Sequence, residues 1–177
     1  MLRDITTLLI DTVVVFFVFL LLLRFHFQWL RVPFRNQVGE FVLATTSWMV
    51  MPARRVIPSL AGLDLATLLL AYATQCLAIW IKAAIVGVEP ALVAILGGAA
   101  LDLLRYSLYI LVFAILVQVL FSWINPYAPM APVFNAMTAP FLRPLRRFIP
   151  PLGGVDLTPL VLLILIQILL IVLAHVT

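Results

Sequence analysis

The stretch PARRVIPSLAGLDLATL, from Pro52 to Leu68, returns as PLRRFIPPLGGVDLTPL from Pro144 to Leu160. Ten of the seventeen positions are identical, among them Arg54, Arg55, Ile57, Pro58, Gly62 and Asp64, with their counterparts Arg146, Arg147, Ile149, Pro150, Gly154 and Asp156. The register holds beyond the motif, since Thr46 corresponds to Thr138 and Gln75 to Gln167. Self-similarity over so long a distance marks one structural unit used twice, which divides the chain into residues 1–89 and 90–177.

Working outward, each motif is flanked by apolar runs of membrane length. Of the 177 residues, 66% are apolar and 10% charged, far from the balance of a water-soluble domain. Four segments reach about the 20 residues that a helix needs to cross a hydrocarbon core: Ile5–Phe27, Leu63–Val86, Leu108–Ile124 and Leu157–Val176. Helices are required there because an open backbone in lipid leaves its polar groups unpaired. The first run is already of spanning length and is followed by no small-residue cleavage site, so it reads as a retained helix. Residues 91–101 are apolar but too short to span. Either they extend the third helix past Asp102 and Arg105, or they form a separate interfacial helix. The expected fold is all-α: four transmembrane helices arranged as two helix-loop-helix repeats. Two spans per unit send both copies into the membrane in the same direction, so the repeats are parallel.

Eight of the eleven basic residues lie in or beside the two loops that carry the motifs. Positive residues stay on the cytoplasmic face, which places both loops there and both termini outside. Arg3, Lys82 and Arg105 run against the trend, each with an acidic residue within several positions. Within the loops, Val38, Phe41, Val42, Thr45, Trp48 and Met49 recur at helical spacing, as do Val133, Phe134, Met137, Thr138, Phe141 and Leu142. Asn36 and Asn135 are the expected caps. These stretches read either as amphipathic helices in the headgroup region or as helices packed on the bundle.

The flanking prolines predict extended backbone at Arg54-Arg55 and Arg146-Arg147, with the arginines displayed outward. Two readings follow. The four cations form an anion or lipid-headgroup site, or they hold the topology and touch lipid without specificity. Asp64 and Asp156 begin their spans after a glycine step, where a carboxylate caps free amides and meets the positive end of the helix dipole. Each is also expected to pair with an arginine ten positions earlier, clamping loop to helix. Gln75 and Gln167 fall near the bilayer centre, and with Gln118 and His26 they are intramembrane polar contacts, to each other or to neighbouring helices. A polar pathway through Asp11, Gln75, Gln118 and Gln167 is the competing reading.

Signals for an enzyme are weak. No nucleophile, base and orienting group are spaced together, and no glycine-rich phosphate loop precedes a helix. The two histidines, His26 and His175, fall at opposite membrane faces on this topology, so no metal site is expected, and no cofactor either. The lone Cys76 has no disulfide partner and reads as packing. The basic residues flank spans rather than forming an exposed face, which argues against nucleic acid.

The doubled Arg-Arg-x-Ile-Pro and Gly-x-Asp pattern, each copy preceded by a helical loop and followed by an apolar span, resembles the YggT family of bacterial membrane proteins, called YlmG in some bacteria and chloroplasts. The resemblance covers nearly the whole chain. It implies a multi-pass protein of the bacterial plasma (inner) membrane, linked to tolerance of osmotic shock and, in relatives, to cell division, nucleoid or thylakoid organisation and cytochrome assembly. It brings no agreed catalytic residues. One departure precedes the second motif, where Asn125-Pro126-Tyr127-Ala128-Pro129 stands in place of Pro33-Phe34-Arg35-Asn36-Gln37. The expectation is a non-enzymatic structural or regulatory membrane protein that touches anionic lipid, a membrane protein partner, or a second copy of itself. The alternative is a small-solute or ion transporter or channel that works as an oligomer.

Overall fold

The computed structural model describes residues 1–60, 62–149 and 156–175, which form six helices joined by turns. These are α1 (Leu2–Trp29), α2 (Gln37–Val56), α3 (Leu65–Val86), α4 (Leu92–Ile124), α5 (Ala131–Phe148) and α6 (Thr158–His175). Of these, α1, α3, α4 and α6 are long and apolar enough to cross a membrane. In the most apolar stretch of any of them, no more than 33% of the residues is buried within the chain. Most of their apolar surface therefore faces outward, as a hydrocarbon solvent requires. The chain is a multi-pass membrane protein.

Residues 91–101 belong to α4, which runs unbroken through Asp102 and Arg105 to Ile124. The charges are tolerated because each has a partner. Arg105 lies 3.6 Å from Asp102 and donates to the Leu173 carbonyl at 2.6 Å, and Gln75 of α3 donates to Asp102 at 2.7 Å. The break before α4 comes from Gly87, whose φ of 79° ends α3 in a left-handed cap.

Two local expectations are corrected. Arg54, Arg55, Arg146 and Arg147 are helical, in the last turns of α2 and α5, although Pro52, Pro140 and Pro144 lie inside those helices. All three prolines sit on the exposed side, so each costs one backbone bond while its ring stays out of the core. The buried sides, Val42, Thr46 and Val50 in α2 and Val133, Met137 and Leu142 in α5, hold the helices in place. Asn36 does cap α2, its side chain accepting from the Gly39 amide at 2.9 Å. Asn135, by contrast, lies inside α5, which already starts at Ala131 with a proline in its first turn. Pro150, Leu152 and Gly154 of the second motif lie outside the described residues, as does Val176.

Helices α1, α2 and α3 pack on one another, as do α4, α5 and α6, and the two groups meet where α1 and α3 lie against α4. The main core joins Val18, Leu21, Leu22 and Phe27 of α1 to Val50, Ala71, Leu103, Ile110, Val133 and Met137. A smaller one, Ile115, Leu142, Leu162 and Ile166, holds α6. Close approach sets the entry to α2. A β-carbon on Gly39 would overlap the backbone of Phe34, whereas one on Gly97 would meet nothing within 4 Å. Gly39→Ala should therefore destabilise the solubilised protein by about 1–3 kcal/mol. Gly97→Ala should leave it unchanged or raise stability by roughly 0.5–1 kcal/mol through helix propensity. Thermal unfolding of both variants in one detergent checks the contrast.

Candidate functional site

The motif is a reversal that returns the chain from α2 to α3. Ile57 closes α2 by donating to the Ala53 carbonyl at 2.9 Å, and Pro58 cannot continue the helix. Leu60 and Leu63 then exchange backbone bonds of 3.2 and 2.9 Å around Gly62, whose φ of 82° is left-handed and suits glycine alone. The turn delivers Asp64 to the start of α3 and within reach of Arg54.

Asp64 is 1% exposed and carries four hydrogen bonds. Arg54 donates through Nε to Oδ1 at 3.3 Å and through Nη2 to Oδ2, a two-pronged grip on the carboxylate. From the other side, the Thr67 amide donates to Oδ1 at 3.3 Å, capping α3, and the Thr67 hydroxyl donates to Oδ2. Arg54 Nη2 also donates to Gln28 Oε1 at 2.8 Å, so one guanidinium ties α1, α2 and the head of α3 together. Burial pushes the Asp64 carboxyl up, but the bonds from Arg54 and Thr67 outweigh it and hold it below the ordinary carboxylate range. Deeper in the same junction, Arg24 is 2% exposed and donates to Thr46 Oγ1 at 2.8 Å and Ser47 Oγ at 3.2 Å.

The second motif makes the same pairing with less cover. Arg146 Nε donates to Asp156 Oδ2 at 2.8 Å, and Thr158 donates to Asp156 Oδ1 from its amide at 3.0 Å and its hydroxyl at 2.6 Å. Here the carboxylate is 39% exposed. Burial raises this carboxyl too, and the Thr158 bonds with the Arg146 charge lower it on balance. The deeper contact differs in kind, since Thr138 donates its hydroxyl to Gln118 Oε1 at 3.1 Å in place of an arginine contact.

The four arginines are not equivalent. Arg54 and Arg146 are engaged by aspartate, whereas Arg55 and Arg147 are exposed and make no hydrogen bond or ion pair among the described residues. Gln75 and Gln167 also part company: Gln75 is 2% exposed beside Asp102, and Gln167 is exposed on α6. His26 is buried with Nδ1 2.6 Å from the Leu22 carbonyl, a contact within its own helix. Between the two three-helix groups, a cleft of about 300 Å³ is lined by Phe19, Leu23, Phe27, Ile110, Phe113 and Phe134. Sequence reading missed Arg24, Gln28 and Thr67. The signal was there for Arg24, a lone cation in the apolar run Phe19–Phe27, because a charge inside a span needs a partner.

A family model described as CCB3/YggT matches residues 4–85 and again residues 98–177. The chain is 34% identical to the uncharacterized protein YggT of Escherichia coli K12, over 92% of this chain and 85% of the relative. It is 33% identical to the uncharacterized protein PA0392 of Pseudomonas aeruginosa, over 81% of this chain and 75% of that one. An uncharacterized protein of Haemophilus influenzae is 26% identical over 91% and 87% of the two chains. No solved structure matches. The chain belongs to the CCB3/YggT family.

Two outcomes follow from the junction. In a double-mutant cycle, Arg54→Ala and Asp64→Ala should be non-additive in thermal stability by about 1–3 kcal/mol, because either change alone strands the other partner. The same cycle on Arg146 and Asp156, both partly in solvent, should give less than about 1 kcal/mol. The folded Asp64 carboxyl titrates below its unfolded value of about 3.9. Its contribution is thus complete above that value and disappears as pH falls through the lowered one. Asp64→Asn should flatten the acid limb of melting temperature against pH, read between pH 6 and 2.

Proposed function

We propose that this member of the CCB3/YggT family is a non-enzymatic protein of the bacterial inner membrane that holds two basic helices, α2 and α5, against the cytoplasmic leaflet to gather anionic lipid and protein partners there. On this reading the chain is two parallel repeats, residues 1–89 and 90–177, with both termini outside and both motifs at the cytoplasmic edge. The observation that carries it is the division of labour within each arginine pair. One arginine is spent on the aspartate clamp, which fixes the end of the helix, and its neighbour, Arg55 or Arg147, is presented outward with no ion pair among the described residues. A fixed guanidinium at headgroup depth suits a lipid phosphate, and Arg35 and Arg143, also exposed, extend the basic surface. The apolar cleft beside α1, α4 and α5 suits an acyl chain. Tolerance of osmotic shock is the cellular outcome that the family resemblance attaches to this role.

The alternative, transport, draws on a separate set of polar groups between α1, α3 and α4. Lys82 meets Asp11 at 2.8 Å, Gln75 meets Asp102, and Gln75 Oε1 is buried with no hydrogen-bond partner. That reading requires a solute flux in proteoliposomes that Gln75→Leu abolishes.

The lipid reading is tested by extracting the protein with its surrounding membrane into polymer-bounded discs and measuring the lipid retained. Wild type should enrich anionic phospholipid over the bulk membrane. Each exposed arginine near an anionic surface contributes about 1 kcal/mol, about fivefold, so Arg55→Gln with Arg147→Gln should remove most of the enrichment. Unchanged lipid composition in the double variant would overturn the proposal.

A further inference from the structure

Gln75 and Gln167 occupy matching places in the two motif-bearing segments, each at mid-length of an apolar helix, yet among the described residues only Gln75 has a partner. In the first, the carboxamide is buried and donates to Asp102 on the neighbouring α4 at 2.7 Å. In the second, the carboxamide is exposed and makes no hydrogen bond among the described residues. Lipid can cover the leucines and isoleucines around it, but hydrocarbon offers nothing to an amide that is both donor and acceptor. The residues sharing its side of α6 are Leu160, Ile164, Ile171 and Ala174, all exposed. With Gln167 they recur at alternating steps of four and three, the spacing of a helix-pairing seam. Leu162, Ile166 and Leu173, on another side, are buried against the bundle, so the seam is free of packing by the described residues.

We propose that α6 pairs with α6 of a second copy of this chain, about a twofold axis along the membrane normal, with the two Gln167 carboxamides hydrogen-bonded to each other. Three observations favour a second copy. Identical chains insert in the same direction, which brings both carboxamides to one depth without any adjustment. A carboxamide complements itself, donating through nitrogen and accepting through oxygen. The head-to-tail alternative, α6 on α1 of the next copy, would imitate the way α3 meets α4 inside the chain, but the residue of α1 that matches Asp102 is Ile10. The nearby Asp11 is already paired with Lys82 at 2.8 Å. A single polar residue in an otherwise apolar seam also fixes the register of the pair. The inference rests on α6 crossing the membrane and not on the lipid-binding role, so the two can fail separately.

The test uses the full chain in native membranes, with Cys76→Ala so that a single introduced cysteine reports. Ile164→Cys and Ile171→Cys, on the seam, should form disulfide-linked dimers on mild copper-phenanthroline oxidation. Leu165→Cys and Val172→Cys, exposed but turned away from the seam, should remain monomeric. Adding Gln167→Leu should lower the seam crosslink at least several-fold, and Gln167→Asn should restore part of it. Equal yields at all four positions, or full yield with Gln167→Leu, would overturn the proposal. So would an efficient disulfide between Ile164→Cys and a cysteine placed at Val13 of α1, or a crosslink from the seam to a different protein.

Discussion

The bond between Arg54 and Asp64 is the interaction on which the packing of α1, α2 and α3 depends. A carboxylate that is 1% exposed at the head of a membrane helix is tolerable only if it is fully partnered, and the surrounding chain supplies four donor contacts. That requirement explains the local architecture. Gly62 takes a left-handed conformation so that ten residues can double back, Pro58 ends α2 at the right place, and Thr67 is set to donate from both its amide and its hydroxyl. Through Gln28 the same arginine reaches α1, so α2 becomes a fixed part of a three-helix junction.

The second three-helix group keeps the central pair and a threonine donor, Thr158, without the deeper supports of the first. Its aspartate is 39% exposed, and the positions that match Arg24, Gln28 and Thr67 hold Leu116, Leu120 and Pro159. The deeper contact is a neutral one, Thr138 with Gln118, and the core that seats α6 is the smaller of the two. One clamp is therefore closed on a buried carboxylate, and the other on a partly solvated one. The second group also exposes α6, with an amide at its middle.

Much of this was legible in the residues, for identifiable reasons. Apolar runs of spanning length leave helices as the only way to pair the backbone, so α1, α3 and α6 could be read with small errors at their ends, whereas α4 begins at Leu92, well before the expected Leu108. Asp64 as a cap followed from a carboxylate placed after a turn glycine. The misreadings came from tertiary context. The flanking prolines predict a break in α2 and α5, but a proline on the exposed side of a packed helix leaves the buried side intact. Asn135 had the chemistry of a cap and lies within α5, because the Ala131-Pro132 pair starts that helix earlier. The different fates of Gln75 and Gln167 could not be read from their matching positions, since which face of a helix is covered depends on the neighbour that arrives there.

The central claim is that the arginine clamp on the buried Asp64 holds α2 rigidly, whereas α5 relies on a more exposed version of the same device. Hydrogen-deuterium exchange of the protein in lipid nanodiscs addresses it directly, because amide exchange reports local opening segment by segment. The account predicts slower exchange across residues 37–56 than across residues 131–148. It also predicts that Asp64→Asn accelerates exchange in residues 37–56 and the first turn of α3 while leaving residues 131–148 unchanged. Equal protection of the two helices in the wild type, or a loss in Asp64→Asn spread evenly over the chain, would contradict it.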